Sequence, residues 1–131
     1  MKNIGLLFLF SILFLFSSCS KDEAEILIDL TGEWTGEYGC GFENYTEIIG
    51  IAHDLSTGSL VATKITGDPC IGAGEVTFTG NYDGKASETT VVVFGRTEQG
   101  MDLRANGTLT VMDKNSIIVE FPGTPTPLVR N

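Results

Sequence analysis

The sequence predicts an all-β protein, a small antiparallel barrel of about 7–8 strands, and three observations predict it. Short runs rich in β-branched and aromatic residues recur from Gly32 onward, separated by Gly, Asn and Asp. No stretch of useful length in this part of the chain carries a 3.6-residue apolar period. The connections between runs are of hairpin length, which makes a meander, and a meander closed on itself has no free edge strands. An open sandwich is the alternative architecture.

The clearest strand covers residues 75–82. There Val76, Phe78, Gly80 and Tyr82 alternate with Glu75, Thr77, Thr79 and Asn81, giving one buried and one wet face. Residues 102–112 repeat the pattern, with Leu103, Ala105, Gly107, Leu109 and Val111 on the apolar side. Asp113-Lys114-Asn115 then forms a tight connection to residues 116–121, whose Ile117, Val119 and Phe121 share a face, so these two runs are expected to pair as a hairpin. Further strands are expected at residues 33–39, 45–53, 59–66 and 89–96, where the alternation is too blurred to assign inward faces. Gly36, Gly50, Gly80, Gly95 and Gly107 fall inside strand patterns, where glycine commonly marks the bends of a closing sheet. Residues 122–131 contain Pro122, Pro125 and Pro127 and are expected to be an extended, peripheral tail.

Ahead of the barrel region lies an export signal. Lys2 precedes the apolar run from Ile4 to Phe16, and the small residues Ser17 and Ser18 follow it. As a helix that run spans roughly 20 Å, too short to cross about 30 Å of hydrocarbon, so it reads as a signal peptide rather than a membrane span. Phe16-Ser17-Ser18-Cys19 resembles a lipobox, with Phe where Leu is commoner, so Cys19 is expected to be acylated and to become the first residue of the mature chain. Fatty acyl chains bind at roughly 0.8 kcal/mol per buried CH₂, which anchors a protein to a bilayer without a transmembrane helix. The following Ser20-Lys21-Asp22-Glu23-Ala24-Glu25 is a polar tether. It also resembles the acidic export tag of surface-displayed lipoproteins of Bacteroidota, which implies an outer-membrane lipoprotein facing the cell exterior; a periplasm-facing orientation is the alternative. The expected organisation is therefore signal peptide 1–18, lipidated Cys and tether 19–29, barrel 30–121 and tail 122–131.

Removing the leader takes one basic residue, leaving 7 Lys and Arg against 17 Asp and Glu. Such a surface repels phosphate backbones, which excludes nucleic acid as a partner. The expected partners are the bilayer, through Cys19, and an unidentified peptide, protein or small molecule. Of the three cysteines, lipidation takes Cys19 and leaves Cys40 and Cys70, an even pair in an oxidising compartment and hence a disulfide by default.

A family resemblance adds to this reading. Leu30 to Tyr38 contains the Gly-x-Trp opening of lipocalin and avidin-type barrels at Gly32-Glu33-Trp34. Ala62-Thr63-Lys64-Ile65-Thr66-Gly67-Asp68-Pro69, continuing through Ile71, Ala73-Gly74-Glu75 and Thr77, resembles the C-terminal barrel of F-box only protein 31 and its plant relatives. The similarity runs from Leu30 to Phe78 and implies a lipocalin-like barrel that holds a client segment and performs no chemistry. There is no F-box, and Gly72 stands where the family tends to have Pro. Because Cys40 and Cys70 both fall within the matched motifs, the resemblance implies a disulfide tying the first-strand turn to the Gly67-Asp68-Pro69 loop beside Tyr38.

Gly67-Asp68-Pro69 is a turn signal in its own right, since Asp bonds back to nearby backbone and Pro fixes φ. As a ligand site, Lys64, Thr66 and Asp68 at alternate positions would point one way and offer a donor, a hydroxyl and an acceptor, with Trp34 and Tyr38 as further candidate contacts. Trp34 reads equally as a plug for a barrel end. His53 and Asp54 are neighbours on a strand and so face opposite sides, with no nucleophile identifiable, and Glu43, Glu47, Glu75 and Glu120 cannot be paired as a catalytic dyad from sequence. No metal-ligand spacing, phosphate loop or dinucleotide fingerprint is present. The expectation is a non-enzymatic recognition barrel without a cofactor; an accessory or inhibitor lipoprotein docking on a larger envelope complex is the alternative.

Overall fold

The computed structural model describes residues 26–97, 99–121 and 124–131. The expected signal peptide, Cys19 and the tether as far as residue 25 lie outside the described residues. Eight strands follow one another: β1 (Gly32–Cys40), β2 (Glu43–His53), β3 (Ser59–Lys64), β4 (Val76–Asn81), β5 (Glu88–Arg96), β6 (Asp102–Asp113), β7 (Ser116–Phe121) and β8 (Thr124–Arg130). Each pairs antiparallel with its neighbour in the chain, and β8 returns to β1, closing the barrel. The predicted all-β barrel is present, including the β6–β7 hairpin in which Leu109 faces Val119 and Val111 faces Ile117.

Two local expectations are corrected. Residues 124–130 are not a peripheral tail but the closing strand, with Leu128 buried and paired to Gly36 on one side and Ile117 on the other. Prolines are tolerated there because of where their missing N–H groups would point. Arg130 donates its N–H to Asn115 O on the β7 side, and Asn131 donates to Glu33 O on the β1 side, so odd-numbered residues of β8 face β1. Pro125 and Pro127 are both odd. They leave the β7 ladder complete, and they end the β1–β8 ladder at Gly36 and Leu128, where the next bond needs an N–H from Pro127. The second correction is Val76, which is 39% exposed, while Thr77 is buried. The β3–β4 register shifts between Ala62 and Thr63, and this bulge turns Val76 outward while Phe78 faces in.

Alternate residues of every strand meet in one core that includes Trp34, Ile49, Ile51, Leu60, Ala62, Phe78, Val91, Leu109, Ile117 and Leu128. One end of this barrel is sealed. The segment before β1 crosses it, placing Leu30 fully inside beside Trp34, whose Nε1–H donates to Leu30 O. The Arg130 guanidinium lies 4.5 Å from the Trp34 ring centroid and donates to the carbonyls of Thr31, Asp29 and Lys114. His53 Nδ1 accepts from the Leu30 N–H and its Nε2 faces Tyr82 O, which fixes the Nε2–H tautomer and makes this histidine a satisfied strut. Asp29 Oδ1 lies 3.6 Å from its Nδ1.

Closure also depends on a missing side chain. A Cβ at Gly36 would collide with the Pro127 carbonyl oxygen and press on Leu128 Cδ2. Gly36→Ala is therefore expected to lower stability by about 1–3 kcal/mol, the usual effect of overpacking, measured by urea denaturation. An unchanged midpoint would show that β8 moves away freely.

Candidate functional site

The opposite end of the barrel is the mouth, formed by the β1–β2 turn, the β3–β4 loop and the β5–β6 turn. Cys40 pairs with Glu43 across Gly41 and Phe42, and Gly41 supplies the positive φ of 65° that a two-residue hairpin turn with glycine first requires. The long β3–β4 loop folds back over one side of the mouth. Its backbone is anchored by Ile65 N–H and Thr66 N–H on Ile48 O, by Lys64 N–H on Glu75 O, and by Gly74 N–H on Lys64 O. The Cys40–Cys70 disulfide staples it to the end of β1, as expected from the cysteine arithmetic, with Cα atoms 5.9 Å apart. Closing a loop on the order of 30 residues contributes about 3–4 kcal/mol in the chain-entropy account. Ile71, next to this link, is buried and packs with Tyr38 and Tyr45.

Under the loop sits a buried charge cluster. The Lys64 side chain points inward in the same alternation as Leu60 and Ala62, and it is wholly buried. Its Nζ lies 2.9 Å from Asp68 Oδ2, 3.6 Å from Glu47 Oε1 and 5.3 Å from the Tyr38 ring centroid. The Lys64–Asp68 approach is a charge contact whose angles fall outside hydrogen-bond geometry, so neither Nζ nor Oδ2 has an aligned partner. Asp68 Oδ1 is better served, accepting the N–H groups of Cys70 at 2.8 Å and Ile71 at 2.9 Å. Burial alone pushes the Asp68 carboxyl up, but Lys64 and those two N–H groups overcome it and hold it below the usual range. Glu47 moves the other way: burial raises its carboxyl more than Lys64 lowers it. Burial likewise raises the Tyr38 hydroxyl, helped by the negative charges of Asp68 and Glu47.

Beside this cluster the barrel interior holds a cavity of about 210 Å³. Its wall is mainly apolar, from Ile49, Ile71, Phe78, Val93, Val119 and Leu128, with Tyr38, Glu47, Thr77, Thr124 and Thr126 as the polar contributors. Glu47 is 6% exposed, so its carboxyl belongs to the cavity wall rather than to the outer surface.

The candidate residues therefore divide. Lys64, Asp68 and Tyr38 do come together. Thr66 does not join them: its side chain is exposed, because β3 ends at Lys64 and the alternation on which the expectation rested stops there. Trp34 is fully buried at the sealed end and is not among the residues lining the cavity. Lys64 itself lies behind the lining rather than in it. Glu47 is the residue that sequence reasoning left among unpaired acids. It shares the inward face of β2 with Ile49, Ile51 and His53, at period two. Cys40, Cys70 and Asp68 also cluster, but both thiols are consumed by the disulfide.

No family model, curated protein or solved structure matches this chain. The site stands on its own geometry.

The two carboxyls give opposite pH dependences. Asp68, held low in the folded chain, contributes stability that is complete above its unfolded pKa of about 3.9 and is lost as pH falls through the folded value. Glu47, held high, favours folding when protonated, and that contribution is lost as pH rises through its folded value. Glu47→Gln is accordingly expected to match or exceed the parent in melting temperature at neutral pH, with the advantage shrinking toward pH about 4. Calorimetric melting between these limits checks it; a variant that melts lower at neutral pH than at acid pH, relative to the parent, contradicts the assignment.

Proposed function

We propose that this chain is a lipoprotein, acylated at Cys19 and held on the outer membrane facing the exterior, whose barrel recognises a small organic ligand or one anchoring side chain of a peptide without transforming it. The observation that carries the binding reading is the mouth cavity, apolar over most of its wall with a few convergent polar groups. Its volume limits the guest. A dry cavity of about 150 Å³ takes benzene, so about 210 Å³ suits a single ring or a branched chain. Larger ligands would enter only in part.

The placement of the N-terminal segment supports the same picture. Ile28 donates its N–H to Gly84 O and Leu30 to His53, both at the sealed end. A lipid on Cys19 would thus hold the barrel by its closed end. The seven residues 19–25 reach at most about 25 Å, and they would join the barrel at the end opposite the mouth. Labelled palmitate incorporated by the parent and lost in Cys19→Ser tests the anchor, and protease treatment of intact cells tests the orientation. A rise in melting temperature with ring-sized ligands, absent when Thr126→Trp fills the cavity, tests recognition; ligands that stabilise both proteins equally would remove the cavity from the argument.

One observation favours the accessory reading as well. Phe42 is completely exposed at the tip of the β1–β2 turn, and Met101 is 65% exposed at the β5–β6 turn across the mouth. Apolar side chains presented at one end are what a protein partner would cover.

A further inference from the structure

We propose that the mouth cavity is a binding site for a small organic cation, a primary ammonium group on a body the size of one aromatic ring. The proposal rests on the ligand-binding reading above and names the class of ligand.

Charge decides it. Among the described residues lining the cavity, Glu47 is the one carboxylate, and there is no Lys, Arg or His. Behind the wall, the single Lys64 charge stands between two acids and sits closer to Asp68, at 2.9 Å, than to Glu47, at 3.6 Å. One cation and two carboxylates leave the cluster one positive charge short whenever Glu47 is ionised, and Glu47 lines the cavity. An anionic guest would face that carboxylate with no exposed base to receive it. Lys64 cannot serve, because its side chain is wholly buried and outside the lining.

The rest of the wall suits the same guest. Tyr38, Phe78 and Phe121 line the space, and aromatic faces attract ammonium groups through the ring quadrupole, by about 0.5–2 kcal/mol depending on desolvation. The Tyr38 ring already takes the Lys64 ammonium at 5.3 Å. The surroundings are acidic on balance: Glu37, Glu43 and Glu120 are exposed on the strands that form this end, Arg96 is engaged by Glu75 and Asp102, Arg104 lies over the Phe94 ring at 5.7 Å, and the chain as a whole carries −9.

Binding should also move a proton. The groups facing Glu47 are Tyr38 from β1, Lys64 from β3 and Asp68 from the β3–β4 loop, and burial holds the Glu47 carboxyl above its ordinary range. Where Glu47 is protonated before binding, an ammonium group arriving beside it favours the carboxylate, so the proton leaves as the cation enters. Affinity then rises with pH until the amine itself loses its charge.

The test is calorimetric titration of the full chain in detergent with benzylamine, benzyl alcohol and benzoate, in two buffers of different ionisation enthalpy. The expected result is benzylamine binding at least ten-fold tighter than benzyl alcohol, no binding of benzoate, and proton release that grows as the titration pH is lowered toward the Glu47 range. Glu47→Gln should lose both the preference and the release, and Thr126→Trp should lose benzylamine binding altogether. Benzyl alcohol binding as tightly as benzylamine, or benzoate binding more tightly, overturns the cation assignment while leaving a ligand-binding cavity in place. Failure of all three to bind overturns the assignment and the cavity reading together. Unchanged benzylamine affinity in Thr126→Trp places the amine elsewhere and overturns the proposal. The parent's own selectivity and proton release decide the matter if either variant does not fold.

Discussion

Replacing Lys64 with Ala is expected to lower the stability of the barrel by about 3–5 kcal/mol, the usual cost of removing one partner from a buried ion pair. The loss comes less from the attraction removed than from what stays behind. The Asp68 side chain is 1% exposed, and without Lys64 its carboxylate keeps two backbone N–H groups but no countercharge. Glu47, also buried, loses its one cationic neighbour. Both would be driven toward protonation, so the variant should recover part of its deficit as pH falls. A double replacement, Lys64→Met with Asp68→Asn, separates the two causes. Asn retains a carbonyl oxygen for the Cys70 and Ile71 N–H groups, Met fills the aliphatic path of the lysine, and Glu47 alone is left without its countercharge. It should be clearly more stable than Lys64→Ala. Urea denaturation at neutral pH measures both, and a loss below about 1 kcal/mol for Lys64→Ala would place the pair in the category of surface ion pairs. Any ligand affinity lost in Lys64→Ala would then be an effect of the loop, since Lys64 is not in the cavity wall.

That outcome bears on what was legible beforehand. The period-two pattern is strongest where a strand has one buried and one wet face, and residues 102–112 and 116–121 are of that kind; their hairpin is present with the expected facing of Leu109, Val111, Ile117 and Val119. The alternation misleads at Val76 because the bulge that turns it outward arises from the register with β3, fourteen positions earlier in the chain at Ala62. Local pattern carries no trace of it. β8 was hidden for a different reason. Two prolines in seven residues read as a tail, and only the direction of each absent N–H relative to two neighbouring strands shows that the strand is permitted. The Cys40–Cys70 disulfide was expected from the cysteine count taken with an expected oxidising compartment. In the site, Lys64 and Asp68 were found through a turn motif and do meet, but the motif describes how the loop is held, not what it holds. Glu47 carries no motif. Its position follows from which face of β2 turns inward, and with Gly50 and Ala52 among the small residues of that strand the two faces were too alike to separate by composition.

Trp34→Ala is expected to cost about 3–5 kcal/mol as well, through emptied space rather than stranded charge. The indole is fully buried, its Nε1–H satisfies Leu30 O, and its outer face carries the Arg130 guanidinium. Truncation leaves a void at the sealed end, an unpaired carbonyl and an arginine with nothing to lie against. Each kcal/mol corresponds to about 4–8 °C for a domain near 100 residues, so the melting temperature should fall by at least about 12 °C. Trp34→Phe keeps a ring but no donor, and should lie between the two, with the Leu30 carbonyl accounting for about 1–3 kcal/mol of the difference from the parent. The two ends of the barrel are separate in this respect. Trp34 is absent from the cavity wall, and the loop over the mouth is fixed by its disulfide and its own hydrogen bonds. At a temperature where Trp34→Ala remains folded, its affinity for a ring-sized amine should therefore equal the parent's. A loss of affinity in step with the loss of stability would mean that the plug and the mouth act as one unit, and that the cavity is held open by the same packing that seals the other end.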